Sequence, residues 1–255
     1  MKKSVLIIGG GGFFGKSLLD FFVKSKKLKN KIDKITIITK SSKNFIHSEL
    51  KKKYKIVQIK KNIATAKKIP FANYVIYMVR SKNSKEDDKG VKNYFTLAKK
   101  YHLKSNIVYT SSGAVYGKQP KKLLKIKDNQ VLDIKQKTSK SKRNYALQKI
   151  DNEKIFQKLS SYGIKVSIAR CFAFVGKNLP LEKNYVVGNF IHSVLGKKEI
   201  IIKSNIKVIR SYMHADDLAD CLLRLVFDNT TNFGTYNIGS DKPVDIFRLG
   251  TFLSN

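Results

Sequence analysis

At 255 residues and 42% hydrophobic content, the chain suits one large α/β domain, or a nucleotide domain with a smaller lobe, and can bury a sizeable core. No apolar run approaches the roughly 18 residues of a membrane span, and the one near the N-terminus is ended too soon by glycines for a signal peptide, so a cytoplasmic protein is expected. The formal net charge of +34 would suit nucleic acid, but only six of the 52 basic residues are Arg and the lysines run along the whole chain, which reads as a solvated lysine-rich surface rather than a nucleic-acid interface.

The first element is residues 4–19. Val5, Leu6, Ile7 and Ile8 empty into Gly9, Gly10, Gly11 and Gly12, then Phe13, Phe14 and Gly15, which predicts strand, tight turn and helix. Glycine brings the backbone close to a pyrophosphate, and a helix start offers unpaired N–H groups at the positive end of its dipole. Two registers fit a dinucleotide fingerprint: Gly10, Gly12 and Gly15, or Gly9, Gly12 and Gly15.

Residues 34–39 predict a second strand. An acid at its end would bind the adenosine ribose 2′-hydroxyl, whereas basic residues would accept a 2′-phosphate. Thr39, Lys40, Ser41, Ser42 and Lys43 occupy that turn, which leans to NADP over NAD; Asp33 precedes the strand and reads as a turn residue. Residues 54–59 and 73–79 predict the third and fourth strands, the fourth apolar enough to be buried on both faces. Strands alternating with helical stretches predict an α/β fold with a doubly wound parallel sheet.

Residues 88–101 read as an amphipathic helix carrying Val91, Tyr94, Phe95 and Ala98, and 106–110 as the next strand. Thr110, Ser111 and Ser112 follow at its carboxyl end, where such folds bind ligands. Residues 118–142 hold Lys121, Lys122, Lys125, Lys127, Lys135, Lys137, Lys140 and Lys142 with few apolar anchors and read as a surface loop. Residues 143–160 predict a helix with Ala146, Ile150, Ile155, Phe156 and Leu159 on its apolar face. Tyr145 and Lys149 sit one turn apart there, and an ammonium beside a phenol favours proton transfer near neutral pH. That pair means little alone in a chain with 12 Tyr and 46 Lys. Cys171 and Cys221 read as free thiols, His214 with Asp216 and Asp217 as a helix-start cap, and His47, His102 and His192 show no metal spacing, so no metal site is expected.

The order of these motifs is specific. A glycine cradle comes first, then Ser-Ser-Gly-Ala-Val-Tyr-Gly from Ser111, then Tyr-x-x-x-Lys with Tyr145 lying 33 residues past Ser112. Arg170 to Gly176, Arg210 to Ala219 and Tyr236-Asn237-Ile238-Gly239 complete the series. Together they resemble the extended short-chain dehydrogenase/reductases, specifically the NAD-dependent epimerase/dehydratase family of nucleotide-sugar enzymes.

The resemblance implies a Rossmann domain over 1–170 and a smaller C-terminal substrate-binding lobe over 171–255, interleaved with the last strands of the sheet. It implies that Gly9, Gly12, Phe13, Phe14 and Gly15 bind the cofactor pyrophosphate, with Asn62 and Ile63 beside adenine and Lys40 at the position that decides between NAD and NADP. Tyr145 would be the acid/base, Lys149 would bind the nicotinamide ribose, and Ser112 would bond the reacting sugar oxygen. Asn189 and Arg210 would hold the diphosphate of a nucleoside-diphosphate sugar, and a homodimer would form through the helices at 88–101 and 143–160. The reaction implied is hydride transfer at sugar C4, by an epimerase or a 4-ketoreductase; the alternative is a non-catalytic NAD(P)-binding sensor or an RNA-binding derivative of the fold. Three departures stand out. Ser-Gly-Ala replaces the Thr-Asp-Glu of water-removing members, Ala173 stands where epimerases often carry Asn, and Arg80 stands where the family usually has a small residue.

Overall fold

The computed structural model describes residues 3–42, 44–81, 83–118, 125–130, 132, 139–181, 185–202, 204–205, 207–227 and 233–254. The chain begins with β1 (Lys3–Ile8) and α1 (Phe13–Lys24), followed by α2 (Lys26–Lys31), β2 (Ile32–Thr39), α3 (Ser48–Lys53) and β3 (Lys55–Lys60). Then come β4 (Tyr74–Tyr77), α4 (Ser84–Tyr101), β5 (Asn106–Ser112), α5 (Lys140–Gln157) and β6 (Lys165–Cys171). The remainder is β7 (Phe174–Val175), α6 (Val186–Leu195), β8 (Ile209–Ser211), β9 (Met213–His214), α7 (Ala215–Phe227), β10 (Thr235–Ile238), β11 (Pro243–Asp245) and α8 (Ile246–Ser254).

Seven strands make one parallel sheet in the order β10-β6-β5-β4-β1-β2-β3. Alternation along β1 explains its uniformly apolar sequence: Val5 and Ile7 join the core under α1 and α7, while Leu6 and Ile8 join the core under α4. On that second face the rings of Tyr109 and Phe156 stack at 4.3 Å, which pins α5 against β5. The order reverses between β1 and β4, the switch point at whose carboxyl edge doubly wound sheets open a crevice.

Several boundaries differ from expectation. Helix α4 starts at Ser84 rather than 88, because the Asn83 side chain accepts from the Lys85 N–H at 3.0 Å and caps it. Asp33 lies inside β2, exposed near its amino end, and is not a turn residue. Helix α5 begins at Lys140, so Lys140 and Lys142 belong to it and not to a loop. Its buried stripe is Ala146, Lys149, Asn152, Glu153 and Phe156, with Ile150 and Ile155 only half-buried. Polar groups take that face because the site behind it supplies their partners. Of the lysine tract, residues 119–124, 131 and 133–138 lie outside the described residues, as does Lys43.

Beyond β6 the chain leaves the main sheet. β7 pairs with β9 beside α7, and β8 with β11 beside α8, forming two small sheets before and after β10 returns to the edge beside β6. Both excursions depart from partnered residues, since Cys171 faces Ile238 in register and the Phe172 N–H donates to the Ile238 carbonyl at 3.0 Å.

Candidate active site

The carboxyl edge of β1, β4 and β5 opens into a cleft of about 780 Å³ lined by the glycine turn, the β4 and β5 ends, α5 and residues from 171–187 and 210–212. The turn is built for close approach. Gly9 has φ +95°, and a Cβ there would lie 2.8 Å from the Met78 carbonyl carbon. A Cβ on Gly15 would lie 2.4 Å from the Gly10 Cα, so glycine at both positions lets helix, turn and β4 nest. Gly12 differs: its nearest neighbour to such a Cβ is the Gly9 carbonyl oxygen at 3.7 Å. Gly12 also caps α1 without a side chain, and no acid lies in the first turn. The positive end of α1 therefore faces the cleft with no protein anion on it, a cradle that fits a dinucleotide pyrophosphate.

At the end of the cleft beside β2, Lys40 Nζ lies 2.6 Å from Glu86 Oε1. The Asn62 amide donates to the same oxygen at 2.9 Å, and the Ser81 hydroxyl to Oε2 at 2.8 Å. Hydrogen bonds from Lys40, Ser81 and Asn62 pull the Glu86 carboxyl down to about 2. Lys40 is thus committed to a carboxylate. Asn62 spends its carbonyl on the Ala64 N–H at 3.0 Å, capping the turn that buries Ile63. Next to Glu86, burial pushes the Asp87 carboxyl up to about 6 against the pull of the Ser81 N–H and of Lys149.

At the far end, α5 carries Tyr145 half-buried and Lys149 buried into the cleft wall. Lys149 Nζ donates to the Tyr109 hydroxyl and to the Thr110 carbonyl, each at 3.2 Å. Burial pulls the ammonium down, but Tyr109, Tyr145 and Asp87 outweigh it and hold the group above its ordinary value. The hydroxyl cluster sorts itself. Thr110 bonds the Tyr77 carbonyl at 3.2 Å and Ser111 bonds Glu153, which Arg170 grips with Nη2 at 2.8 Å. Ser112 accepts from the Ala114 N–H at 3.2 Å and so keeps its own proton to donate. Arg80 follows β4 with its guanidinium carbon 5.2 Å from the Tyr145 ring centroid. Cys171 also lines the cleft, its thiol pushed up to about 12 by burial, and it is free, as is Cys221.

The cleft gathers Gly9, Gly12, Phe13, Phe14, Gly15, Lys40, Asn62, Ile63, Ser112, Tyr145, Lys149 and Arg210. Asn189 is not among them: it is exposed on α6, and Tyr185, Val186 and Val187 line the cleft in its place. Arg210 is exposed with Nη1 donating to the Ile209 carbonyl at 3.1 Å. Sequence reasoning missed Glu86 and Asp87, although Asn83-x-x-Glu86 is a helix-start signature that marks both as first-turn acids. Tyr109 had no signal beyond its place in an apolar strand. His214 does cap α7, its ring accepting from the Asp216 N–H at 3.2 Å. Among the described residues no cluster of three or more His, Cys, Asp or Glu could hold a metal ion, and no helix is long and apolar enough to cross a membrane.

A family model described as NAD dependent epimerase/dehydratase family matches residues 5–239. UDP-N-acetyl-alpha-D-glucosaminuronate decarboxylase of Bacillus cytotoxicus is 25% identical over 96% of this chain and 78% of that protein. UDP-glucuronic acid decarboxylase 3 of Arabidopsis thaliana is 31% identical over 88 residues, 34% of this chain, a match that spans only 25% of that relative's length. Among solved structures, UDP-N-acetylglucosamine 4-epimerase of Methanobrevibacter ruminantium superposes with TM-score 0.78 at 21% identity, covering 98% of this chain and 81% of that one. The dTDP-glucose 4,6-dehydratase DesIV of Streptomyces venezuelae, solved with NAD, superposes with TM-score 0.80 at 16% identity, covering 98% and 80%. These superpositions establish the fold.

Proposed function

The chain belongs to the NAD dependent epimerase/dehydratase family, and on that premise we propose that it is an NAD-dependent C4 epimerase of nucleoside-diphosphate sugars. The observation that carries this reading is that Ser112, Tyr145 and Lys149 line one cleft with the glycine cradle, although β5 and α5 lie far apart in sequence. Relatives named for UDP-glucuronic acid, UDP-N-acetylglucosamine and dTDP-glucose support the substrate class.

Bound at the cradle, the nicotinamide would supply a reversible hydride acceptor for C4. Tyr145 receives the C4 hydroxyl proton as the 4-keto sugar forms and gives it back on return. Ser112 donates to the same oxygen, and the Lys149 ammonium sits beneath, where it stabilises negative charge on the phenol and anchors the ribose. Dehydration would need further acids at positions 113 and 114, which are Gly and Ala. The Glu86 carboxylate disfavours a 2′-phosphate, and an NAD enzyme that regenerates its cofactor is an epimerase rather than an NADPH-consuming ketoreductase. Arg210, which lines the cleft, would meet the diphosphate with its fork of donors. The homodimer implied by the resemblance would use α4 and α5.

The test is product analysis after incubation with UDP- and dTDP-sugars. An isomer of the substrate with no net change in cofactor is expected, and Tyr145→Phe should lower the rate by about 10²- to 10⁴-fold. Loss of water or carbon dioxide, or stoichiometric NADPH oxidation with a 4-keto sugar, overturns the epimerase reading.

A further inference from the structure

In a chain of 46 lysines and six arginines, two arginines, Arg80 and Arg210, line the cleft. Charge alone would be served by lysine, so an arginine at the mouth of β4 points to the fork geometry of its guanidinium. Arg80 is held between two tyrosines: its guanidinium carbon lies 5.2 Å from the Tyr145 ring centroid, and its Nη1 donates to the Tyr185 hydroxyl at 3.3 Å. The hydrogen bond takes one N–H of the guanidinium and the ring contact takes its face, which leaves further N–H donors.

Among the described residues no carboxylate pairs with it. The two acids nearest in sequence are engaged elsewhere, Glu86 by Lys40, Asn62 and Ser81, and Asp87 by the Ser81 N–H at 2.6 Å. Arg80 is exposed to the open cleft. A cation stacked on the acid/base ring with donors to spare is a recognition group waiting for an anion close to the reacting carbon.

We propose that Arg80 is a specificity-determining residue that grips a carboxylate on the sugar ring, so that the chain's substrates are nucleoside-diphosphate uronic acids rather than neutral nucleotide sugars. This rests on the C4 reading above: the carboxylate of a uronic acid hangs from C5, the neighbour of the carbon whose hydroxyl Tyr145 serves. On binding, the carboxylate takes the two parallel N–H groups of Arg80, and the stacking on Tyr145 fixes the guanidinium plane.

Calorimetric titration of the NAD-loaded protein with UDP-glucuronate, UDP-glucose and the dTDP forms of both tests this. The unaltered protein should bind the uronates at least about tenfold more tightly than the neutral sugars. Arg80→Ala should weaken uronate binding by about 10- to 100-fold, the range of a hydrogen-bonded charge, and change neutral-sugar binding less than about threefold. Arg80→Lys should retain part of the preference. Equal affinity for both sugar types overturns the proposal, and so does an equal loss for both in Arg80→Ala, which would assign the guanidinium to the diphosphate. Because affinity and product are scored separately, a uronate preference with no epimerised product would leave Arg80's role standing and remove the C4 reading. Epimerisation of neutral sugars without preference would do the reverse.

Discussion

Lys149 holds its ammonium 3.2 Å from the hydroxyl of Tyr109, a buried residue of β5 that does not line the cleft. Tyr109 is among the groups that keep Lys149 above its ordinary value although burial pulls it down. Tyr109→Phe removes that support and leaves the Thr110 carbonyl. The Lys149 pKa should then fall, and the alkaline limb of the pH–rate profile should move to lower pH. A kcat reduced about tenfold with little change in KM is expected. An unmoved alkaline limb would show that Tyr109 is only a packing residue.

Glu86 should set the choice between NAD and NADP through charge. Its carboxylate, held down to about 2, both occupies Lys40 and repels a 2′-phosphate. Glu86→Gln should raise NADP affinity about tenfold, read by cofactor fluorescence in the absence of sugar, with NAD affinity changed little. If the unaltered protein already prefers NADP, Lys40 leaves Glu86 when the cofactor binds, and the lean read from the basic turn is restored.

Gly15 and Gly12 should fail differently when a methyl group is added. At Gly15 the new Cβ would meet the Gly10 backbone at 2.4 Å, so Gly15→Ala should cost about 1–3 kcal/mol of stability, seen as a lower melting temperature. At Gly12 the nearest atom is 3.7 Å away, so Gly12→Ala should melt with the parent but bind NAD more weakly. Equal melting losses in both variants would refute the division between packing glycine and ligand glycine.

Two buried groups oppose one another in acid. Burial lowers His102 from 6.5 to about 4, so the unfolded chain binds its proton more readily between those values, and this contribution to stability is lost as pH falls. Asp87 is raised from 3.8 to about 6, so the native state binds its proton more readily there, and its contribution is lost as pH rises. Each shift corresponds to about 3 kcal/mol at most. Stability between pH 4 and 6 should be nearly level in the parent, fall on acidification in Asp87→Asn, and fall on alkalinisation in His102→Gln. Denaturant titrations at stepped pH measure all three slopes.

The sheet was legible because its strands are buried on both faces and leave unbroken apolar runs, and the cradle because no residue but glycine fits so close to Met78 and Gly10. That Tyr145, Lys149 and Ser112 line one cleft was legible only through their order, since a lysine four residues from a tyrosine is unremarkable in this composition. The polar wall behind them was hidden. Glu153 and Arg170 satisfy each other across α5 and β6, a pairing that no periodicity records, and it turned a stripe expected to be apolar into one holding Lys149, Asn152 and Glu153. Asn189 shares its side of α6 with Val186 but lies one turn farther along, beyond the residues that line the cleft.

The partnered departure of the chain at Cys171 and Ile238 limits how the cleft wall beyond β6 can move. A cap fastened by one crossing could swing like a door. Here two neighbouring strands let go of the sheet at the same level, and each of the two small sheets knits one outgoing path to a later stretch of chain. Because β9 also runs straight into α7, which packs on the main sheet, this wall is tied down at a third point, and Arg210 and Tyr212 lie within a few residues of it, so the mouth they line is held in step with the cradle.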